Sequence, residues 1–262
     1  MIDRRRHYVL VMDTETANTI QEDNQLDMSN VLFYDLGWQV IDTHGTVYAK
    51  ASYLNRDVFC HERELMQSAY YAKKIPQYVA EVLAGKRIMA DQDEIRKAFL
   101  ADLAEYAITE VVAHNARFDI NALNTTQRYV TKSKWRYWLP YGIEVWDTMG
   151  MAQDVICKQP TYIQFCKDHN YLTKNGQVRK TAEILYRYIS GNHDFQASHT
   201  GLENVEIESQ IFAYCYRQHK PMPHKVLYAR PQTEDTEQTE YYFLGKNNSL
   251  SVEEMLDKLQ GL

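Results

Sequence analysis

The sequence predicts a mixed α/β fold: three antiparallel strands, then alternating helix and strand, with helices flanking the sheet. Three observations carry this. Segments 8–13, 31–41 and 46–54 are rich in β-branched and aromatic residues and are separated by polar or turn-forming stretches. Segment 93–106 places Ile95, Phe99, Leu103 and Tyr106 at helical spacing. Short apolar runs at 110–113 and 143–146 then alternate with further helical segments, the pattern of helices packed on a sheet.

Taken in order, the first strand ends near Asp13, and the polar residues 16–30 read as a loop. The strand at 31–41 turns through Asp42-Thr43-His44-Gly45 into a partner at 46–54. Segments 62–74 and 77–84 are helical and divided at Pro76. Acids in the first turn of 93–106 complement the helix dipole, and a helix at 118–130 follows the strand at 110–113 directly. From 148 to about 218 the pattern is helical, broken near Pro160, at Lys174-Asn175-Gly176 and at Gly191-Asn192. Residues 231–240 form an acidic linker or exposed loop, and 241–245 read as a strand. Ser251 caps a closing helix with Val252, Met255, Leu256 and Leu259 on one side. The organisation is one domain over residues 1–220 and a C-terminal extension over 221–262.

A chain of 262 residues with 45% apolar content can bury a full core. Its net charge of −6 argues against a protein that coats long duplex DNA, though an acidic cluster that holds metal is compatible with it. Cys60, Cys157, Cys166 and Cys215 show no zinc spacing and read as reduced thiols of a cytoplasmic protein. No apolar run is long enough to span a membrane, and the charged start lacks the pattern of a signal peptide. Twenty tyrosines suit cores, interfaces and base stacking equally. Together with the closing helix they are compatible with a homodimer.

Asp13 and Glu15 stand two apart at the end of the first strand, so they share a face. Adjacent like charges raise each other's pKa unless a cation lies between them, and hard oxygen ligands suit Mg²⁺ or Mn²⁺. Alone, the pair reads equally as two solvated acids. A second stretch, His114-Asn115-Ala116-Arg117-Phe118-Asp119, is a tight turn entering a helix. Asp119 lies in the first turn, where the dipole favours any carboxylate, and Phe118 reads as core. A third is His199-Thr200-Gly201-Leu202-Glu203-Asn204. Thr200 and Glu203 match a capping box, and Leu202, Val205, Ser209, Phe212 and Tyr216 form an inward stripe. A lone histidine is more often structural than catalytic, but His199 immediately precedes a helix start that faces the same cleft.

These three stretches, in this order and in this strand and helix context, resemble the three motifs of the DEDDh 3′→5′ exonucleases, relatives of the polymerase proofreading subunit, oligoribonuclease and RNase T. The resemblance covers about residues 8–218. Asp-x-Glu alone is weak, but the set is specific, and His199 fits the histidine subtype rather than the tyrosine one. The resemblance implies a ribonuclease H-like fold and a two-metal site taking Mg²⁺ or Mn²⁺, with ions about 3.5–4 Å apart. On this chain Asp13 would bridge both ions, Glu15 would bind one, Asp119 would support the site through water, and His199 would be the general base, its ordinary pKa near neutrality suiting the proton step. Thr14, Thr16, His114, Asn115 and Phe118 would line the substrate. The implied activity is release of nucleoside 5′-monophosphates from the 3′ end of single-stranded DNA or RNA.

The family has aspartate where this chain has Asn204, the remaining catalytic and metal position. An amide keeps the shape, supplies no charge and turns a donor toward a cation, so metal affinity and rate should both fall. One explanation is a substitution that disables an active enzyme. Another is a degenerate site in a nucleic-acid-binding protein. The intact His199 and other acids favour the first. Glu208, one turn further along the helix, could stand in as ligand, whereas Glu203 is committed to the cap. A third reading is a phosphodiesterase for very short oligonucleotides, which the acidic charge mildly favours. Asp147, at a strand end, reads as a helix cap. Lys132, Lys134 and Arg136 interleave with Trp135, Tyr137 and Trp138, either as a stacking and phosphate platform for single strands or as a half-buried surface loop. Tyr70, Tyr71, Lys73 and Lys74 are a weaker version of the same pattern.

Overall fold

A computed structural model describes residues 2–20 and 26–226, with side chains described outside 18–30. Six strands form one sheet: β1 (Tyr8–Ile20), β2 (Leu26–Asp42), β3 (Val47–Asn55), β4 (Ile88–Ala90), β5 (Glu110–Ala113) and β6 (Glu144–Asp147). Their order is β4-β3-β2-β1-β5-β6. β1, β2 and β3 are antiparallel neighbours, β5 and β6 run parallel to β1, and β4 runs parallel to β3. The helices are α1 (Arg56–Phe59), α2 (Arg63–Ser68), α3 (Ile75–Leu83), α4 (Gln92–Glu105), α5 (Ala116–Thr131), α6 (Thr148–Val155), α7 (Pro160–Asp168), α8 (Ala182–Ser190) and α9 (Gly201–Tyr216). The mixed, ribonuclease H-like α/β architecture expected from the sequence is the one observed.

Alternation along β1 builds the two layers. Leu10 and Met12 pack with Ile95 and Phe99 of α4 and Ile120 and Leu123 of α5. Val9 and Val11 face the other way, onto Met151 and Val155 of α6, Leu185 of α8 and Phe212 of α9. With both faces covered, the strand reads as a continuous apolar run, and each fully buried side chain of this size contributes about 1.5–3 kcal/mol. On β2, Gly37 lies directly under the start of α9: a Cβ there would stand 2.3 Å from the Leu202 backbone nitrogen. The helix therefore rests backbone on backbone, a close approach that requires glycine.

Several boundaries differ from expectation. Residues 16–30 are not a loop, because β1 continues to Ile20 and β2 begins at Leu26. The pairings Ala17↔Leu32 and Asn18↔Val31 satisfy the backbone of these polar residues, which local composition cannot reveal. The single helix expected over 62–74 is α2 followed by a 3₁₀ turn, Ala72–Lys74, with extended backbone at Ala69 between them. β4 and α1 were not legible, being too short to show a period. At the far edge, Lys225 bridges Trp146 and the Val226 nitrogen donates to the Val145 carbonyl, which covers part of the open side of β6. The acidic stretch at 231–240, the strand at 241–245 and the helix after Ser251 lie outside the described residues. No described helix is long and apolar enough to cross a membrane.

Candidate active site

The site forms where β1 meets the first turns of α5 and α9. Asp13 pairs with Gly37 and Glu15 with Asp35, after which the register shifts and Thr16 pairs with Phe33. This leaves Tyr34 as an extra residue on β2, a bulge beside the two acids. Asp13 and Glu15 do share a face: the Asn204 side-chain nitrogen lies 3.1 Å from Asp13 Oδ2 and 3.1 Å from Glu15 Oε1 and donates to both.

Two more carboxylates close the cluster. Asp119 comes from the α5 side, where its Oδ1 accepts from the Thr14 nitrogen at 3.1 Å and from Thr14 Oγ1 at 2.7 Å. Glu208, one turn beyond Asn204 on α9, accepts from the His114 nitrogen at 3.1 Å. Burial, with the mutual repulsion of Glu208, Asp119 and Glu15, holds the Asp13 carboxyl well above its usual range. Burial and then Asp35 push Glu15 up to about 9. Burial pushes Asp119 up to about 7. Burial and Asp119 hold Glu208 well above its usual value. A group of buried acids with raised affinity for protons is a group that favours a cation.

The neighbouring motif residues are placed as follows. The His114 ring is turned inward, its Nδ1 against Thr148 Oγ1 at 3.0 Å and its Nε2 against the Lys180 carbonyl at 2.9 Å, and burial lowers its pKa. Asn115 has φ +64°, the left-handed conformation that asparagine tolerates. Its nitrogen donates to Asp147 Oδ1. Asp147 also accepts from the Met149 nitrogen and so caps α6, as its position at a strand end suggested. Phe118 is partly buried against the α4–α5 core, and Thr16 lies just past the bulge.

His199 sits on the loop entering α9 with φ +54°. Its imidazole stacks on the Tyr71 ring, centroids 5.1 Å apart and planes 16° from parallel. Its Nε2 stands 4.0 Å from Glu183 Oε2, and its side chain is 42% exposed. Lys74 Nζ donates to the His199 carbonyl at 3.3 Å and lies 4.9 Å above Tyr71. Partial burial, then the Lys74 charge, lower the His199 pKa, and Glu183 opposes them. The expected capping box at Thr200 and Glu203 is not formed: the two side chains bond each other at 2.9 Å, and neither reaches a helix amide. A remote residue caps the helix instead. Asp35 Oδ2 accepts from the Gly201 nitrogen at 2.9 Å while Asp35 Oδ1 holds Arg87 at 2.5 Å. Sequence reasoning missed Asp35, Arg87 and Glu183. Asp35 alone left a trace, as an acid in the middle of an otherwise apolar strand.

The aromatic and basic segment after α5 is remote from this cleft. Lys132 follows Asp119 by thirteen residues of helix, about 20 Å at 1.5 Å per residue. The segment that borders the cleft is the weaker match, Tyr71 and Lys74.

Among the described residues no three His, Cys, Asp or Glu side chains converge into a preformed cage. The Asn204 amide donates to both Asp13 and Glu15, while Asp119 accepts from Thr14 and Glu208 from the His114 nitrogen. The donor set itself fits a hard divalent cation, being buried, all-oxygen and self-repelling.

In overall architecture the chain superposes on the nuclease domain of 3′hExo, a DEDDh family member solved bound to rAMP, with a TM-score of 0.52 over 86% of this chain and 100% of that one. The chain shares the α/β architecture of that domain. It is also similar to a full-length 3′-exonuclease, with a TM-score of 0.52 over 81% of this chain and 83% of that one. Sequence identity is 9% and 10%, so the likeness is one of fold. No protein-family model matches the chain, and no curated protein matches it in sequence.

Proposed function

We propose that the protein is a metal-dependent 3′→5′ exonuclease that releases nucleoside 5′-monophosphates from single-stranded DNA or RNA ends, in a form weakened by Asn204. The observation that carries this reading is the gathering of Asp13, Glu15, Asp119 and Glu208 in mutual repulsion beside the loop that presents His199. The exonuclease unit would span residues 1–220, with 221–262 as an extension.

Mg²⁺ or Mn²⁺, when bound, would polarise the phosphate and acidify the attacking water. Asp13 and Glu15 would hold the ions through the oxygens that now face the Asn204 amide. Asp119, fixed by its two bonds from Thr14, would buttress them. His199 would take the proton of the attacking water at a ring nitrogen, and its lowered pKa keeps the ring neutral and able to accept near pH 7. The Tyr71 stack restricts the ring's orientation, and the Glu183 carboxylate stands 4.0 Å from its Nε2. Asn204 works against this chemistry, since it offers hydrogens where a ligand should offer lone pairs.

The second reading, a strand-end binder without turnover, is favoured by the same amide, which closes the Asp13–Glu15 pair without an ion. Cleavage of 3′-ended single-stranded DNA and RNA, from dinucleotides upward, with Mg²⁺ or Mn²⁺, separates the two. Degradation from the 3′ end by Asn204→Asp, with little by the parent chain, supports the exonuclease. A preference of that variant for dinucleotides would mark a short-oligonucleotide phosphodiesterase. No cleavage by either protein supports the binder.

A further inference from the structure

The segment between α5 and β6 has no part in the site just described, yet its composition is singular for a chain of net charge −6. No acid lies between Asp119 and Glu144, whereas Arg128, Lys132, Lys134 and Arg136 all do. Its base is fixed: Trp138 is fully buried, its nitrogen donates to Asn124 Oδ1 at 2.9 Å, and its carbonyl accepts from Arg96 Nε at 2.9 Å. From this base Trp135 and Tyr141 stand out, 55% and 87% exposed. Lys134 Nζ lies 5.0 Å over the Trp135 ring, and the Arg128 guanidinium lies 4.9 Å over Tyr137. The acids that reach this surface are Asp93, toward Arg136, and Glu62 and Asp57, toward Lys132.

Trp135 and Tyr141 offer ring surface to solvent within one short segment whose only charges are positive. Rings interleaved with cations are what a single strand needs, stacking for the bases and charge for the phosphates. A rigid base lowers the ordering cost of binding. We propose that the loop 132–142 is a second binding site for single-stranded nucleic acid, which grips a strand upstream of the end held at Asp13 and Glu15. The loop is set apart from the carboxylate cluster along α5, so a strand must be several nucleotides long to engage both sites. Short oligonucleotides reach one site and longer strands reach both. The spacing rests on the reading that strand ends bind at the carboxylate cluster, but the loop's own affinity does not.

The test is binding of labelled oligothymidylates, about three and about fifteen nucleotides long, to the full chain by fluorescence anisotropy, with Trp135→Ala and with Lys134→Glu/Arg136→Glu. The expected result is tighter binding of the long strand and a loss of at least about fivefold in Trp135→Ala, the lower end for one base stacked on an aromatic ring. The short strand changes less than about twofold, and the charge variant flattens the salt dependence of long-strand binding. Equal binding of the two lengths, unchanged long-strand affinity in Trp135→Ala, or no binding of either strand overturns the proposal. Cleavage is read separately with Asn204→Asp: long-strand binding through the loop without any cleavage would refute the exonuclease reading and leave this one standing.

Discussion

Asn204→Asp exchanges a shared hydrogen-bond donor for a third carboxylate, and the cost can be worked from the contacts. Two bonds, each 3.1 Å, to Asp13 and Glu15 are lost. Each buried acceptor left without its donor costs about 1–3 kcal/mol. The new carboxyl joins acids whose pKa values are already raised, so without a cation the group stays together only by holding protons. A net loss of about 3 kcal/mol follows in the presence of a chelator. For a domain of this size that lowers the melting temperature by about 6–12 °C. Added Mn²⁺ should restore most of it, since saturation at a hundred times Kd returns about 2.7 kcal/mol, and the shift should be larger in the variant than in the parent chain. Differential scanning calorimetry with EDTA and with Mn²⁺ reads both. Equal melting temperatures in EDTA together with equal Mn²⁺ shifts would refute the claim that Asn204 stands in for a cation.

Three other consequences can be measured. The folded carboxyls hold protons that an unfolded chain has already released, Glu15 up to about 9 and Asp119 up to about 7. Stability in chelator should therefore be highest below the ordinary carboxylate pKa and fall as pH rises toward about 9; a flat urea-denaturation profile across that window would contradict the repulsion. Gly37→Ala drives a Cβ to 2.3 Å from the Leu202 nitrogen, where only backbone can yield, so the unfolding free energy should drop by about 3 kcal/mol; a drop under about 1 kcal/mol would deny the backbone-on-backbone contact. Glu183→Gln removes a charge 4.0 Å from His199 Nε2. The NMR titration midpoint of His199 should fall by about 0.7 pH unit, the size expected for two charges at that distance in water, and an unmoved midpoint would show that Glu183 does not act on the ring.

Local pattern carried the motifs. The spacing of Asp13 and Glu15, the turn-and-helix of His114 to Asp119, and the histidine ahead of a helix are short-range relations, and strand and helix geometry converts them directly into shared faces and first turns. The apolar runs likewise announced which strands are covered on both sides. What failed were features held by distant partners. The capping box at Thr200 is replaced by Asp35, 166 positions before the Gly201 amide it accepts from, because α9 is seated on β2 at Gly37 and brings its first amide to that carboxylate. The polar continuation of β1 is a strand because β2 lies alongside it.

By itself, then, the sequence determined the sheet class, the acids, the histidine and the missing charge at Asn204, since each depends on a few neighbouring residues. Only the tertiary structure decided that Asn204 donates to both acids, that Tyr71, Lys74 and Glu183 surround His199, and that the aromatic loop leaves α5 at Lys132, about 20 Å along the helix from Asp119. Those relations are set by how helices dock on a sheet, and docking depends on side chains and backbone contributed from opposite ends of the chain.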